Sequence, residues 1–422
     1  MPPKIKKIIL IIGFVLAVGL LGFALFYFIF RPLFFAPPEE EITPTVTAPP
    51  TEGLPPVAPA VNMAVPSLLN QVTALPAEIP VIPSERPTIP GPEISEVAIG
   101  GLTTYTTLES NATQNPNLSN NGRDLVYYEK DSGFFYQIDP NGNKQLFSDA
   151  TFKNVENVTW ANDNSKAVLE YPDGSNIIYD FNKKSSVTLP KHWEDFTFSG
   201  DNKQIAFKDM RVDPENRYIA VSDTNGAAYQ PVEKLGNNAD DVYIDWAPNN
   251  KYVALYRENL DFNRSVIYPV GFNQENYSSF RVEGLDFRHE WSPTGNKILY
   301  SVFNSRSEYK PTLWIANSNP ELLGTGKTNL EINTWADKCT FADESTVYCA
   351  VPRELDMGTG FIPDSAQDIA DDIYKIDIMQ GTKELIAEPL FDTTIDQLII
   401  NEDKNMLYWL EEDSGQIKKL NL

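Results

Sequence analysis

One ten-residue pattern recurs along the chain, and it limits the fold more than any other feature. It is clearest at Trp291–Tyr300, WSPTGNKILY, and returns as WAPNNKYVAL from Trp246, WANDNSKAVL from Trp160 and FSGDNKQIAF from Phe198. Weaker copies start at Leu118, Phe341 and Ile400, so seven copies follow one another at intervals of 42, 38, 48, 45, 50 and 59 residues. In each, a bulky apolar residue ends a strand and a small residue follows. Pro, Asn, Asp or Gly then supply a tight turn, and alternating β-formers begin the next strand. Further strand-like runs come after every copy, such as Phe134–Asp139, Asn176–Phe181, Leu313–Asn317 and Ile373–Ile378. Four short strands per 40–50 residues describe one blade of a propeller. The expectation is an all-β, seven-bladed β-propeller of four-stranded blades over residues 99–422. The last copy is followed by one strand only, Gly415–Leu422, which leaves its blade short. Thr103–Leu108, upstream of the first copy, is expected to complete it, because an open edge exposes unpaired backbone groups.

The copies at Trp291 and Phe198 resemble the WD40-like repeat with a W/F-S-P-D-G-K-x-I-x-F core, found in TolB-type (PD40) propellers and in those of prolyl-oligopeptidase-type enzymes. The copies at Phe341 and Ile400 lack the glycine. The resemblance covers Leu118 to the C-terminus and implies a propeller. For function it implies, by analogy, binding in the cell envelope of a bacterium, although this fold hosts many roles.

The N-terminal part is of another kind. After Lys4, Lys6 and Lys7, residues Ile8–Phe30 carry no charge, and ~1.5 Å of helical rise per residue lets them span a ~30 Å hydrocarbon core. Basic residues stay cytoplasmic. A single-pass anchor over residues 1–35 with an extracytoplasmic head, in the periplasm or at the cell surface, is therefore expected over a cleaved signal peptide, whose apolar core is shorter. Residues 36–98 hold 15 prolines and no aromatic residue, so a disordered, extended Pro-rich linker is expected there.

Charge and rare residues narrow the function. Net charge is −24, although the first 36 residues carry four basic side chains and no acid, so the head is strongly acidic. That repels phosphate backbones and argues against nucleic acid as a partner. Two histidines, His192 and His289, offer little for a metal centre or a triad, and they are read as structural. No G-x-S-x-G elbow or H-E-x-x-H occurs, Glu321 replaces the first glycine of a phosphate loop before Gly324–Thr328, and no cofactor or metal is expected. Asp139-x-Asn141-x-Asn143 has calcium-loop spacing without the closing acid and reads as a turn. The acidic insert 354–372, with Asp364, Asp368, Asp371 and Asp372, is left open as a calcium site. Cys339 and Cys349 flank a short turn and would face each other on a hairpin, where an oxidising compartment favours a disulfide.

The loops joining the second and third strands emerge on one face, and their charges differ around the ring. Blades three to five supply Arg211, Arg217, Arg257, Arg264, Arg306 and Lys310, with Phe262 and Tyr309 among them. The other blades supply the acidic insert, Glu411–Asp413, Asp131 and Asp173. Arginine forks suit carboxylates and phosphates, so these residues are candidate ligands of an anionic partner, an envelope protein or a cell-wall polymer. Pairing with neighbouring acids is the competing reading. The expected function is thus a membrane-tethered, non-enzymatic binding or scaffold module. The alternatives are an envelope enzyme, a glycan lyase or hydrolase working in the propeller funnel, and a structural part of a secretion or pilus-type assembly.

Overall fold

The computed structural model describes residues 93–422. The expected anchor and most of the expected linker lie outside the described residues. Among the described residues no helix is long and apolar enough to cross a membrane.

Seven antiparallel sheets follow one another in chain order. The first four strands of the ring, Thr113–Leu118, Leu125–Glu129, Phe134–Ile138 and Lys144–Leu146, form one meander. Each later sheet repeats this order, from Asn157–Trp160, Trp193–Phe198, Val242–Ile244, Leu285–Trp291, Cys339–Phe341 and Ile395–Ile400 as first strands. Both faces of every sheet are covered by a neighbour, so the second strands have apolar centres and Leu125–Glu129 is buried at every residue, its terminal glutamate included. Seven apolar clusters fill the spaces between neighbouring sheets, for example Phe207 and Trp193 between blades two and three, and Tyr252 and Trp291 between blades four and five. The fold is a seven-bladed propeller with four-stranded blades.

Ring closure follows the sequence expectation with a shift of boundary. Thr106–Glu109 is the outer strand of blade seven, antiparallel to Ile417–Asn421. Leu102–Thr103 instead runs parallel to the outer strand of blade six, beside Glu388 and Pro389, and covers that edge too. The last part of the expected linker also belongs to the head, since Ser95 bridges Thr103 and Val97 bridges Asn421.

The repeated turn is one device used six times. The residue after the bulky apolar one that heads the turn donates its N–H five residues ahead: Ser119 to Asp124, Ala161 to Lys166, Ser199 to Gln204, Ala247 to Tyr252, Ser292 to Lys297 and Asn401 to Met406. This is a type I turn followed by a left-handed residue, and the left-handed positions are Gly122, Asn164, Asn202, Asn250, Gly295 and Lys404. The copy at Phe341 closes one residue sooner, Ala342 to Thr346, which explains its poor match. In that hairpin Cys339 lies opposite Cys349 and the two are joined by a disulfide.

The turns also touch one another. Asn120 donates to the Asp163 carbonyl, Asn162 to Asn202, Gly200 to Asn250, Asn249 to Gly295, Thr294 to Glu344, Lys404 pairs with Asp343, and the Glu402 N–H returns to Gly122. Blade by blade, these contacts complete a circle on the turn face. The opposite face carries the longer loops and the starts of the first strands.

Candidate functional site

The first strands wall the central channel, and polar residues sit where each begins, a few positions before the turn aromatic. These are Asn115, Asn157, Asp195, Asp240, Asp286, Asp337 and Asp396. Three of them, Asn115, Asp195 and Asp286, adopt left-handed backbone at β-bulges in the first strands of blades one, three and five. A bulge re-aims the side chain that carries it. Asn and Asp tolerate that conformation better than other non-glycine residues.

At this end of the channel lies a cavity of about 570 Å³, lined among others by Asp195, Asp240, Asp245, Asp286 and Asp337. Its cations are already engaged. Lys208 is 2.6 Å from Asp195, and Arg288 reaches Asp286 at 3.2 Å and Asp337 at 2.8 Å. Beside them, His289 Nε2 lies 3.0 Å from an Asp245 oxygen without hydrogen-bond geometry among the described residues. A smaller cavity of about 160 Å³ shares Arg288 and Asp337 and adds Asp364, Asp396 and Glu412. Lys338 on its wall is 2.9 Å from buried Asp371, which also accepts the Ile395 N–H, so this cation ties blade six to blade seven. Asp240, Asp364, Asp396 and Glu412 have no cationic partner within ion-pair distance among the described residues.

The acids strain one another electrostatically. Glu290, on the same strand as Asp286 and Arg288, keeps accessible surface. Desolvation by the surrounding wall, with Asp245 and Asp337 nearby, pushes its carboxyl up to about 8. Desolvation and then neighbouring Asp337 raise Asp396 against the pull of Lys338 and Lys130, and desolvation raises Glu412 against Lys338, with Asp396 and Asp371 adding to the rise.

The arginines chosen from sequence lie on the loop face but are not gathered together. Arg211 pairs with buried Asp209 at 3.2 Å, and Arg217 donates to the carbonyls of Arg211 and Val212. Arg257 lies between Tyr243 and Asp241, 2.7 Å from the carboxylate. Arg264 pairs with Asp261, and Lys310 with Glu308 at 2.9 Å. Tyr309 packs on Phe361, with ring centroids 5.0 Å apart. Arg306 differs: its guanidinium has no partner among the described residues, and it lines two outer cavities of about 350 and 380 Å³.

The acidic insert spreads its carboxylates out. Asp371 serves Lys338, Asp372 pairs with Arg353 at 2.8 Å, and Asp364 faces the small cavity. No group of three or more His, Cys, Asp or Glu among the described residues is placed to hold a metal ion. The Asp139 carboxylate accepts the N–H groups of Asn141 and Asn143, which is turn chemistry.

The acidic mouth is absent from the sequence reading, which followed the arginines in the loops. Its signal was present: a polar residue stands at or near the start of each first strand, and from blade three onward it is Asp.

No family model matches this chain, and no curated protein matches it. Among solved structures it is similar to an oligogalacturonate lyase in complex with manganese (TM-score 0.51, 11% identity, covering 75% of this chain and 93% of that one). It is also similar to the Cps50 (Swd1) β-propeller domain of Myceliophteria thermophila (TM-score 0.49, 11% identity, covering 75% and 99%). At this identity the likeness extends to the fold alone.

Proposed function

We propose that the propeller is a non-enzymatic binding module whose ligand is cationic and enters the mouth of the central channel, with the head held outside the cytoplasm by the N-terminal apolar run. One observation carries this reading. The mouth gathers acids from blades three to seven, and the lysines and arginine that line its two cavities, Lys208, Arg288 and Lys338, are each already paired, while Asp240, Asp364, Asp396 and Glu412 have no ion-pair partner among the described residues. A low-dielectric wall concentrates such a field and attracts counter-charge. The Cys339–Cys349 bond and the uncharged run Ile8–Phe30 support the extracytoplasmic placement.

The test is binding of fluorescein-labelled oligolysine to the full chain in micelles. Capture that weakens steeply from about 50 to 500 mM salt, and that falls with Asp396→Asn, supports the reading. Equal capture of oligoglutamate removes it. An enzyme working in the channel is the second reading, favoured by the Asp245–His289 contact beside a carboxyl held at about 8. Glycan turnover that disappears in His289→Asn would select it.

A further inference from the structure

The insert of blade six has two sides. On one, Pro363, Asp364, Ala366 and Gln367 line the small cavity together with Asp337 and Asp396. On the other, directly before them in sequence, Met357, Phe361 and Ile362 are 73%, 55% and 64% exposed. These apolar side chains are not the residue of a badly packed loop. Leu355 and Ala366 bury themselves against Trp335 in a small core of their own. The Gly358 and Gly360 N–H groups donate to the carbonyls of Glu308 and Tyr309 in blade five, at 2.9 and 2.8 Å. The Phe361 ring lies 4.6 Å from Phe303. In the neighbouring loop of blade four, Asn263 accepts the Ser305 N–H and Phe262 beside it is 82% exposed.

A held, exposed apolar ridge next to a charged cavity marks an interaction surface. The sign of the charge decides the partner. A chain of net charge −24, with Asp356, Asp364 and Asp368 in the insert itself, is repelled by anionic lipid and by acidic proteins. One buried group on the cavity wall is also unanswered: Trp335, 4% exposed, has an indole N–H with no acceptor among the described residues.

We infer that the ligand is a polypeptide segment in which a lysine or arginine is flanked by bulky apolar residues, its basic side chain between Asp364 and Asp396 and its apolar side chains on Ile362 and Phe361. This rests on the cationic-ligand reading above and narrows it to a class.

The experiment compares two labelled peptides of about ten residues by fluorescence anisotropy on the full chain in micelles, one alternating phenylalanine with lysine, the other serine with lysine. The phenylalanine peptide is expected to bind about tenfold more tightly, the effect of covering one bulky apolar side chain. Ile362→Ser, and separately Phe361→Ser, should remove that advantage and leave the serine peptide unchanged. Asp396→Asn should weaken both peptides alike. Equal affinity for the two peptides, or an advantage that survives both ridge variants, overturns the inference while leaving the cationic reading in place. If Asp396→Asn and Asp364→Asn alter neither peptide, the cationic reading itself falls. Capture of phosphatidylglycerol vesicles that depends on Phe361 and Ile362 but not on Asp396 would assign the ridge to a membrane and overturn the inference.

Discussion

Glu290 concentrates the electrostatic conflict of the channel in one side chain. Its carboxyl is raised from 4.5 to about 8 by desolvation first, and then by Asp245 and Asp337. The folded protein therefore holds a proton that the unfolded chain releases near 4.5, and stability falls as pH rises between those two values. Replacing Glu290 with Gln removes the ionising group. The melting temperature of the wild type is expected to decline from pH 5 to pH 8.5, and that of Glu290→Gln to decline less. The difference between the two should grow with pH, as read by thermal unfolding at matched ionic strength. Ligand binding couples to the same proton with opposite benefit. A cation in the channel favours ionised Glu290, so oligolysine should bind more tightly at pH 9 than at pH 6, and Glu290→Gln should flatten that profile.

Elements with one exposed face are not what this chain encodes, and that decided what could be read in advance. The turn after each first strand was legible because its chemistry is local: a left-handed position wants Gly or Asn, five of the seven copies supply one in Gly122, Asn164, Asn202, Asn250 and Gly295, and a sixth places Lys404 there at some steric cost. The funnel was not legible, because its acids become neighbours only when strands some 40–50 residues apart meet around an axis. The arginines misled for the same reason: their partners lie outside their own loops, Asp209 at the end of a strand beside Arg211 and Asp241 in the 3-10 turn before the first strand of blade four, opposite Arg257. The blade-six insert offers a direct test at this scale. A methyl group on Gly360 would stand 2.3 Å from Phe303 and 2.6 Å from the Tyr309 carbonyl, so the insert can lie on blade five only with glycine there. Gly360→Ala should lift the insert from that loop. Limited proteolysis would then cut between residues 356 and 368 far faster than in wild type, while the melting temperature changes little, because the ring beneath is untouched.

At the scale of the molecule, a propeller is as strong as its seam, and here one short N-terminal strand makes the seam. Thr106–Glu109 completes blade seven, and Glu109 then reaches across to blade one: it accepts from Tyr127 Oη at 2.6 Å and from Lys144 at 2.6 Å, and Lys144 also holds Glu129 at 2.5 Å. Burial alone would raise both carboxyls. The Lys144 hydrogen bonds outweigh it, helped by Tyr127 on Glu109 and by Ser132 and Asn111 on Glu129, and both lie below the ordinary value of 4.5. Depressed carboxyls stabilise the fold above their unfolded pKa, and that contribution is lost as pH falls below about 4.5. Lys144→Met leaves two buried carboxylates facing each other. It should cost about 3–5 kcal/mol at pH 7, and the deficit should shrink toward pH 4 as the pair takes up a proton, a reversal that distinguishes lost charge from lost packing. Deleting residues 93–109 tests the seam itself. The third strand of blade seven, Ile417–Asn421, would then present an open row of backbone donors and acceptors, and Tyr127 would lose its buried acceptor. The shortened head should self-associate in size-exclusion chromatography and melt earlier. A synthetic peptide covering residues 102–111 should restore the monomer when added in excess, because it supplies the missing strand without the covalent link. A truncated head that stays monomeric and melts like the parent would mean that the seven contacts around the turn face close the ring without the seam.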